Sequence, residues 1–395
     1  SSSSSSSSKT NTPPLRLPFI PMASSLTSLG SPDDLGSSTR SIDLLDGRTK
    51  VSYVCIPPAS APETSSNTTT AVVHFGNLSG CSAATLPWTD AWQSFCKTAS
   101  LITVDRPGCH ETSPVQEETA STAGNEDKDT QEDWVLQRMR VNTRNVLAVL
   151  QAEKIDTVYI LAVCLGHPYA IHFAREILLH HSKTIQLKGI SLVAPFVSTA
   201  CSRTWFLARL GNSVPSFLLS SATDLMISMG ATLIPYFLKP SKIRGLLSED
   251  EQADWKDPED YEHMCRMITS TMPFTQSVQA LEARFGSSTA WQQVIDDFAL
   301  VAGYGLKTDN KAESNNNIKN KYEGPFLFPR IKIHASPGDR MVSTAAIEWL
   351  AERCYATAEI VMHPEVSSHT AMTFWGGPPR SPRLLQEICQ REFGL

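Results

Sequence analysis

The sequence predicts an α/β fold with a mostly parallel central sheet flanked by helices. Short β-branched apolar runs alternate along the chain with segments whose apolar residues recur at helical spacing. This alternation stops between residues 198 and 329 and then resumes, which indicates a core formed by residues 41–197 and 330–395. With 395 residues, of which 41% are hydrophobic and 19% charged, the chain is long enough for one large core.

The first part of the core begins with a hairpin. Residues 41–56 contain two short strand patterns around Asp46 and Gly47, a dipeptide typical of tight turns between antiparallel strands. Further strands are predicted at 70–75, 101–104, 157–163 and 187–193, and helices at 84–98 and 134–150. Helix and strand therefore alternate as in a parallel sheet.

The second part of the core continues the same pattern. Strands are predicted at 330–335 and 358–362, with a helix at 344–354 between them. A final helix is expected to open at Ser381 and Pro382, because serine caps helix N-termini and proline suits the first helical position.

Two regions lie outside this core. Residues 1–40 are predicted to be a disordered Ser/Pro-rich tail, although the acid-free N-terminal segment leaves an organellar transit peptide open. Residues 198–329 are interpreted as a large helical cap inserted after the strand at 187–193, with a polar, flexible loop at 307–323.

One apolar part of the predicted cap must be compared with the pattern of a membrane-spanning helix. Residues 214–238 are apolar, but Asp224 interrupts them, and a spanning helix needs about 20 uninterrupted apolar residues. A lid helix or the wall of a substrate tunnel is therefore favoured over an integral span, and a membrane-docking patch stays as a weaker alternative.

Charge and cysteine content narrow the class of function. A formal net charge of −6 gives no basic surface for nucleic acid, so a small molecule is the expected substrate. The nine cysteines are odd in number and show neither CxxC pairs nor zinc spacing, so we expect no disulfide framework and no metal. Cys55, Cys96, Cys354 and Cys389 lie in apolar surroundings and are expected to be buried. This usage suits a reducing compartment, and the cytoplasm is the expected location.

The most informative stretch is Y-I-L-A-V-C-L-G-H-P-Y-A at 159–170. A buried strand pattern breaks at Cys164 and restarts with helical spacing, and small residues flank the cysteine at Ala162 and Gly166. This is the pattern of a nucleophile elbow, with cysteine where serine is usual. Cys164 is then at a helix N-terminus, where the helix dipole favours a thiolate. His167, in the first helical turn, is expected to be a surface residue.

Three motifs resemble the α/β-hydrolase superfamily, of the AB hydrolase-1 type, and appear in its order. F-G-N-L at 75–78 is similar to the family's HG-x-x oxyanion loop, with Phe in place of His. D-R-P-G-C-H-E-T-S at 105–113 is similar to D-R-P-G-x-G-x-S and departs from it at His110. C-L-G-H-P-Y-A at 164–170 is similar to the elbow S-x-G-G-P-Y-A.

The resemblance implies two partners for Cys164, in the chain order nucleophile, acid, histidine. Asp339 follows the strand at 330–335 in a sequence similar to the family's acid turn, G-D-x-x-V. His369 follows the next strand, where the family has its catalytic histidine, and His363 is its competitor. The amides of Asn77 and Leu165 are the expected oxyanion donors.

The resulting prediction is a hydrolase that cleaves an ester, thioester or lactone through Cys164, Asp339 and His369, without a cofactor. The apolar content of the cap favours a small hydrophobic acyl or aromatic substrate, but the sequence identifies no substrate-binding residue and no oligomeric state. The alternative is a catalytically inactive protein of the same fold that acts as a ligand-binding or interaction module, with Cys164 as an inert core residue.

Overall fold

A computed structural model of the protein describes residues 39–59, 69–76, 82–109, 111–115, 134–195, 197, 330–339, 341–355, 358–366, 369–373 and 383–395. All of the predicted cap, including the apolar segment 214–238 and the loop 307–323, lies outside these residues, as does the predicted N-terminal tail up to residue 38. Within the described ranges, every helix is too short or too polar to span a bilayer.

The core is an eight-stranded, mostly parallel sheet, as the sequence predicts. Its strands are β1 (Thr39–Asp43), β2 (Lys50–Ile56), β3 (Thr70–Phe75), β4 (Ser100–Val104), β5 (Thr157–Val163), β6 (Gln186–Val193), β7 (Ile331–Ala335) and β8 (Glu359–Met362). Their order is β1-β2-β4-β3-β5-β6-β7-β8. Only the β1–β2 and β2–β4 pairs are antiparallel among these strands. The hairpin predicted at 41–56 is confirmed as β1 and β2.

Helices cover both faces of the sheet. They are α1 (Thr89–Phe95), α2 (Trp134–Ala152), α3 (Gly166–Glu176), α4 (Thr344–Cys354), α5 (His369–Thr373) and α6 (Arg383–Glu387). A 3₁₀ turn, Ser82–Trp88, precedes α1, and π-helical turns extend α3 over Ile177–His181 and α6 over Ile388–Phe393. Residues of α2, α3 and α4 pack in one apolar cluster, and residues of α1, α6 and its π extension pack in a second.

The alternating side chains of the strands fill both clusters. In β3, Val73 belongs to the first cluster and Val72 to the second, because successive residues of a strand point to opposite faces. Both side chains are at most 1% exposed, which is why the strand reads as a continuous apolar run. Cys55, Cys96 and Cys389 are buried as predicted.

The observed strands and helices begin and end close to the predicted residues. One helix ends earlier than predicted, and the predicted start of another lies outside the described residues. The helix predicted at 84–98 begins as the 3₁₀ turn and ends at Phe95, because Cys96 has an extended backbone with ψ of 117°. The last helix is described from Arg383, so its predicted cap at Ser381 and Pro382 lies outside the described residues.

Candidate active site

Cys164 occupies a strained turn between β5 and α3. Its φ is +49°, a left-handed conformation that non-glycine residues rarely adopt and that is often found at functional sites. The turn is fixed on both sides, because the Cys164 amide donates to the Val193 carbonyl at 3.0 Å and its carbonyl accepts from the His167 amide at 3.1 Å. The predicted strand, sharp turn and helix are therefore present, with Cys164 at the turn.

Gly166 explains why small residues flank the cysteine. A Cβ at this position would overlap the Phe75 carbonyl oxygen and lie 2.7 Å from that of Gly76. Glycine thus lets the first turn of α3 approach the segment in which β3 ends and the predicted oxyanion loop begins. The close approach brings two of the motifs singled out in the sequence together.

The structure brings Cys164, His369 and Asp339 together at one edge of the sheet. They follow β5, β8 and β7, and the carboxyl ends of these parallel strands share that edge. His369 Nδ1 lies 2.8 Å from Asp339 Oδ2, and the ring is also close enough to Cys164 for the sulfur to raise its pKa. His363, the competing histidine, makes its described contacts elsewhere, with His334 and Glu365.

The carboxylate of Asp339 is held by its own turn. Its Oδ1 accepts from the amides of Met341 and Val342, both at 2.8 Å, which leaves Oδ2 for the imidazole. Asp339 is 5% exposed, so water competes little for this carboxylate. The arrangement fixes Nδ1 of His369 as the nitrogen that donates to Asp339, which leaves Nε2 as the ring nitrogen available for proton transfer.

The electrostatic environment favours a protonated His369. Burial alone lowers its pKa, but hydrogen bonds to Asp339 and Cys164, together with their negative charges, outweigh burial and raise the pKa to about 10. The histidine is therefore an imidazolium at neutral pH, paired with the carboxylate on one side and the sulfur on the other.

Of the two predicted oxyanion donors, Leu165 and Asn77, the structure describes Leu165. Leu165 is fully buried and precedes the first residue of α3, so its amide is at the N-terminus of that helix. Asn77 lies outside the described residues. The loop before it is anchored by Arg106, whose Nη2 donates to the Gly76 carbonyl at 2.8 Å while the guanidinium lies 4.5 Å from the centre of the Tyr169 ring.

The prediction of a surface position for His167 is wrong. The residue is in the first turn of α3, as expected, but it is 7% exposed, and its Nε2 lies 2.6 Å from the Tyr355 hydroxyl. Tyr355 follows α4 and supplies the polar partner that permits burial. His74 is also buried, 3.3 Å from the Thr103 hydroxyl, and burial, together with the charge of Arg106, lowers its pKa to about 3.

Sequence reasoning missed a group of polar side chains behind the acid turn. His334 of β7 contacts His363 after β8 and Glu392 in the π extension of α6. A histidine inside an otherwise apolar strand was the available signal, since a buried imidazole needs a polar partner.

In the part of the chain that the structure describes, no group of three or more His, Cys, Asp or Glu side chains is arranged to hold a metal ion.

Among known proteins, only solved structures match this chain, and the match is in their folds. No protein-family model matches the chain, and no curated sequence matches it. Three solved structures resemble it over most of its length. MGS-M2, an α/β hydrolase from a Medee basin deep-sea metagenome library, is 15% identical over 88% of this chain and 95% of its own, with a TM-score of 0.46.

The N-acyl homoserine lactone degrading enzyme Est816 is 14% identical over 89% of this chain and 99% of its own, with a TM-score of 0.45. The 2-hydroxy-6-oxo-6-phenylhexa-2,4-dienoate hydrolase of Rhodococcus sp. strain RHA1 is 14% identical over 91% and 100%, with a TM-score of 0.49. The sheet order and the elbow at Cys164 are those of the α/β-hydrolase fold.

Proposed function

We propose that the protein is a hydrolase that cleaves an ester, thioester or lactone with Cys164 as nucleophile, His369 as general acid and base, and Asp339 as the group that orients the histidine. The observation that carries this proposal is the position of His369, which lies 2.8 Å from Asp339 and has its pKa raised by Cys164, a residue at a strained turn. Nucleophile, base and orienting acid in contact are the signature of covalent catalysis.

The protonation state supports a thiolate mechanism. The raised pKa of His369 favours a ring that holds the proton while the sulfur attacks, and the N-terminus of α3 favours negative charge beside it. The thiolate attacks the substrate carbonyl carbon, and the amides of Leu165 and Asn77 stabilise the oxyanion. The imidazolium then donates its proton to the departing oxygen or sulfur as the carbonyl reforms, which leaves an acyl-thioester on Cys164 and a neutral His369.

Water completes the cycle. Neutral His369 accepts a proton from water as the water oxygen attacks the acyl-thioester, and collapse of this second intermediate releases the acid and returns the thiolate–imidazolium pair. Asp339 keeps the ring oriented with Nε2 toward the sulfur in both half-reactions. The proposed substrate is small and hydrophobic in its acyl or aromatic part.

The test compares turnover of p-nitrophenyl esters and thioesters of several acyl lengths by the wild type, Cys164→Ala and His369→Ala. We expect each substitution to lower kcat by about 10⁴-fold or more, because triad members act as a unit. Cys109→Ala is the matched control, since Cys109 is a partly exposed cysteine outside the elbow, and its turnover should equal that of the wild type. Equal turnover by all four proteins would contradict the proposal.

The same assay distinguishes an active hydrolase from the alternative, a catalytically inactive protein that binds a ligand. That alternative predicts saturable ligand binding without turnover by the wild type, and no gain of esterase activity in Cys164→Ser. Turnover by the wild type would exclude it, turnover by the serine variant would show that the site is intact, and silence from both forms would favour a binding role.

A further inference from the structure

Arg106, in the turn after β4, is a buried cation that binds the backbone where the predicted oxyanion loop begins. Its Nη2 donates to the Gly76 carbonyl at 2.8 Å, and the residue is 3% exposed. Gly76 follows the last residue of β3, and β3 lies between β4 and β5 in the sheet. A charged side chain at the end of one strand therefore holds the chain at the end of its neighbour.

The guanidinium of Arg106 is itself held by Tyr169 of α3. Its central carbon lies 4.5 Å from the centre of the tyrosine ring, which is within the range of a cation–π contact. Tyr169 is 1% exposed, and its hydroxyl accepts from Nε of Arg138 in α2 at 3.1 Å. These contacts leave Arg106 little freedom to move away from the Gly76 carbonyl.

The Gly76 carbonyl also lies against the elbow. A Cβ on Gly166 would be 2.7 Å from this oxygen, so α3 approaches it as closely as a glycine allows. In the parallel pairing of β3 with β5, Phe75 is the partner of Ala162. Asn77 and Cys164 each come two residues after these paired residues in the sequence, so the two strands lead to them in register.

One peptide unit joins the Gly76 carbonyl to the amide that follows it. A trans peptide unit is planar, and its N–H points away from its C=O. A hydrogen bond to the carbonyl therefore fixes the direction of the N–H on the opposite side of the unit. A charged donor binds the carbonyl more strongly than a neutral one, and hydrogen bonds at the two ends of such a unit polarise and strengthen each other.

We propose that Arg106 is a positioning residue for the oxyanion hole. By binding the Gly76 carbonyl, it directs the following amide, that of Asn77, at the oxyanion and makes this amide a stronger donor. The inference rests on the proposed function, because an oxyanion forms only when Cys164 attacks a carbonyl carbon. Arg106 takes no part in proton transfer.

The positive charge of Arg106 acts on the same strand end. Burial is the first cause that lowers the pKa of His74 in β3 to about 3, and the charge of Arg106 is the second. A charge that opposes a second positive charge in a buried site also attracts the negative charge that develops on a substrate oxygen.

Two reactions of Cys164 separate this role from a merely structural one. With a p-nitrophenyl ester, the sulfur adds to the carbonyl carbon, the carbonyl oxygen becomes an oxyanion, and p-nitrophenolate leaves as the carbonyl reforms. With iodoacetamide, the sulfur forms a bond to the CH₂ carbon and iodide leaves, so no oxyanion forms. A residue that serves the oxyanion therefore affects the first reaction and spares the second.

The first measurement compares the two rates in the full-length wild type, Arg106→Met and Arg138→Met. We expect Arg106→Met to lower the rate of acylation by about tenfold or more and to change the rate of alkylation at Cys164 by less than about twofold. Arg138→Met is the matched control, because it removes a buried guanidinium whose described contact is with Tyr169 and not with Gly76. Its two rates should change by the same factor. Equal changes of both rates in Arg106→Met would overturn the proposal.

The second measurement reports on the peptide unit itself and needs no turnover. Glycine labelled with ¹³C at the carbonyl and asparagine labelled with ¹⁵N give correlated NMR signals only from Gly–Asn pairs, which begin in this sequence at Gly76, Gly124 and Gly211. Asn77→Ser removes one signal and so assigns it. Loss of the cationic hydrogen bond should shift the Gly76 carbonyl signal upfield in Arg106→Met, whereas Arg138→Met should leave it in place.

Arg106→Lys keeps the measurement informative if Arg106→Met does not fold. Lysine retains the charge and can donate to the same carbonyl, but its ammonium lacks the planar fork of the guanidinium. The Gly76 signal and the ratio of acylation to alkylation should therefore lie between those of the wild type and Arg106→Met. A Gly76 signal at the wild-type position in every folded Arg106 variant would overturn the proposal. A wild type that is never acylated would contradict the proposed function instead, and the NMR signal would still decide whether Arg106 orients the peptide unit.

Discussion

At the level of single residues, the geometry at Cys164 depends on its backbone conformation and on two neighbouring side chains. The cysteine adopts a left-handed backbone at the end of a buried strand, and its side chain contacts a histidine that a buried carboxylate orients. Each of the three residues is ordinary alone, and the chemistry arises because their side chains meet at one edge of the sheet.

Cys164→Ala should lower the pKa of His369. The hydrogen bond and negative charge of Cys164 contribute to raising that pKa to about 10, so their removal leaves Asp339 alone to oppose burial. Titration of the His369 ring by NMR measures the change, with Cys109→Ala as control. An unchanged pKa in Cys164→Ala would mean that sulfur and imidazole do not form an ion pair.

Gly166→Ala should destabilise the protein by about 1–3 kcal/mol, because a Cβ there requires the Phe75 and Gly76 carbonyls to move. Gly189→Ala is the matched control, since the atoms nearest to its Cβ lie at 3.6 Å and 3.7 Å, which is ordinary contact. Urea unfolding measures both variants. If Gly166→Ala is as stable as Gly189→Ala, the Phe75 and Gly76 carbonyls can accommodate a Cβ at position 166, which would contradict the prediction.

At the scale of elements, the acid turn depends on the helix that follows it. Asp339 is joined to α4 by only a few residues, and Ser343 caps this helix by accepting from the Ala346 amide at 3.2 Å. A well-formed first turn of α4 limits the conformations open to the carboxylate.

Ser343→Ala should cost about 1 kcal/mol of unfolding free energy, the usual value of an N-cap. Ser94→Ala serves as control, because Ser94 is exposed and bonds only to the Ala91 carbonyl of its own helix in the described contacts. Denaturant titration compares the two. If Ser343→Ala loses no more stability than Ser94→Ala, the cap does not hold α4.

At the scale of the whole molecule, His369 links stability to pH. Its pKa is raised above the ordinary value of 6.5, so the imidazolium stabilises the folded state. That contribution is complete below about pH 6.5 and is lost as pH rises through about 10. The wild type should therefore lose more unfolding free energy between about pH 7 and about pH 10 than His369→Gln does.

Unfolding curves recorded across this range check the prediction. The difference in stability between the two proteins should shrink steadily as pH rises. Parallel curves would contradict the raised pKa of the histidine.

Most of the fold could be predicted from the sequence because its signals are local. The helix at 344–354 shows helical spacing and a capping serine, and the turn at Cys164 shows its need for small neighbours within a few residues. The proximity of Asp339 and His369 could be expected because parallel strands place the residues that follow them at a shared edge.

The features that sequence reasoning missed depend on distant partners. His167 is buried because Tyr355, 188 residues later, accepts or donates at its ring. Ser191 donates to Glu392, although these residues are 201 positions apart. Local sequence patterns do not predict contacts between residues so far apart in the chain. Such contacts are seen only in the folded structure.

The role of Cys164 as nucleophile is tested by whether its sulfur becomes acylated. The full-length protein is mixed with a p-nitrophenyl ester, quenched in acid, digested and analysed by mass spectrometry. We expect one acyl group on the peptide that contains Cys164 and none in Cys164→Ala. Ester turnover that persists unchanged in Cys164→Ala, with the acyl group on another residue, would contradict it.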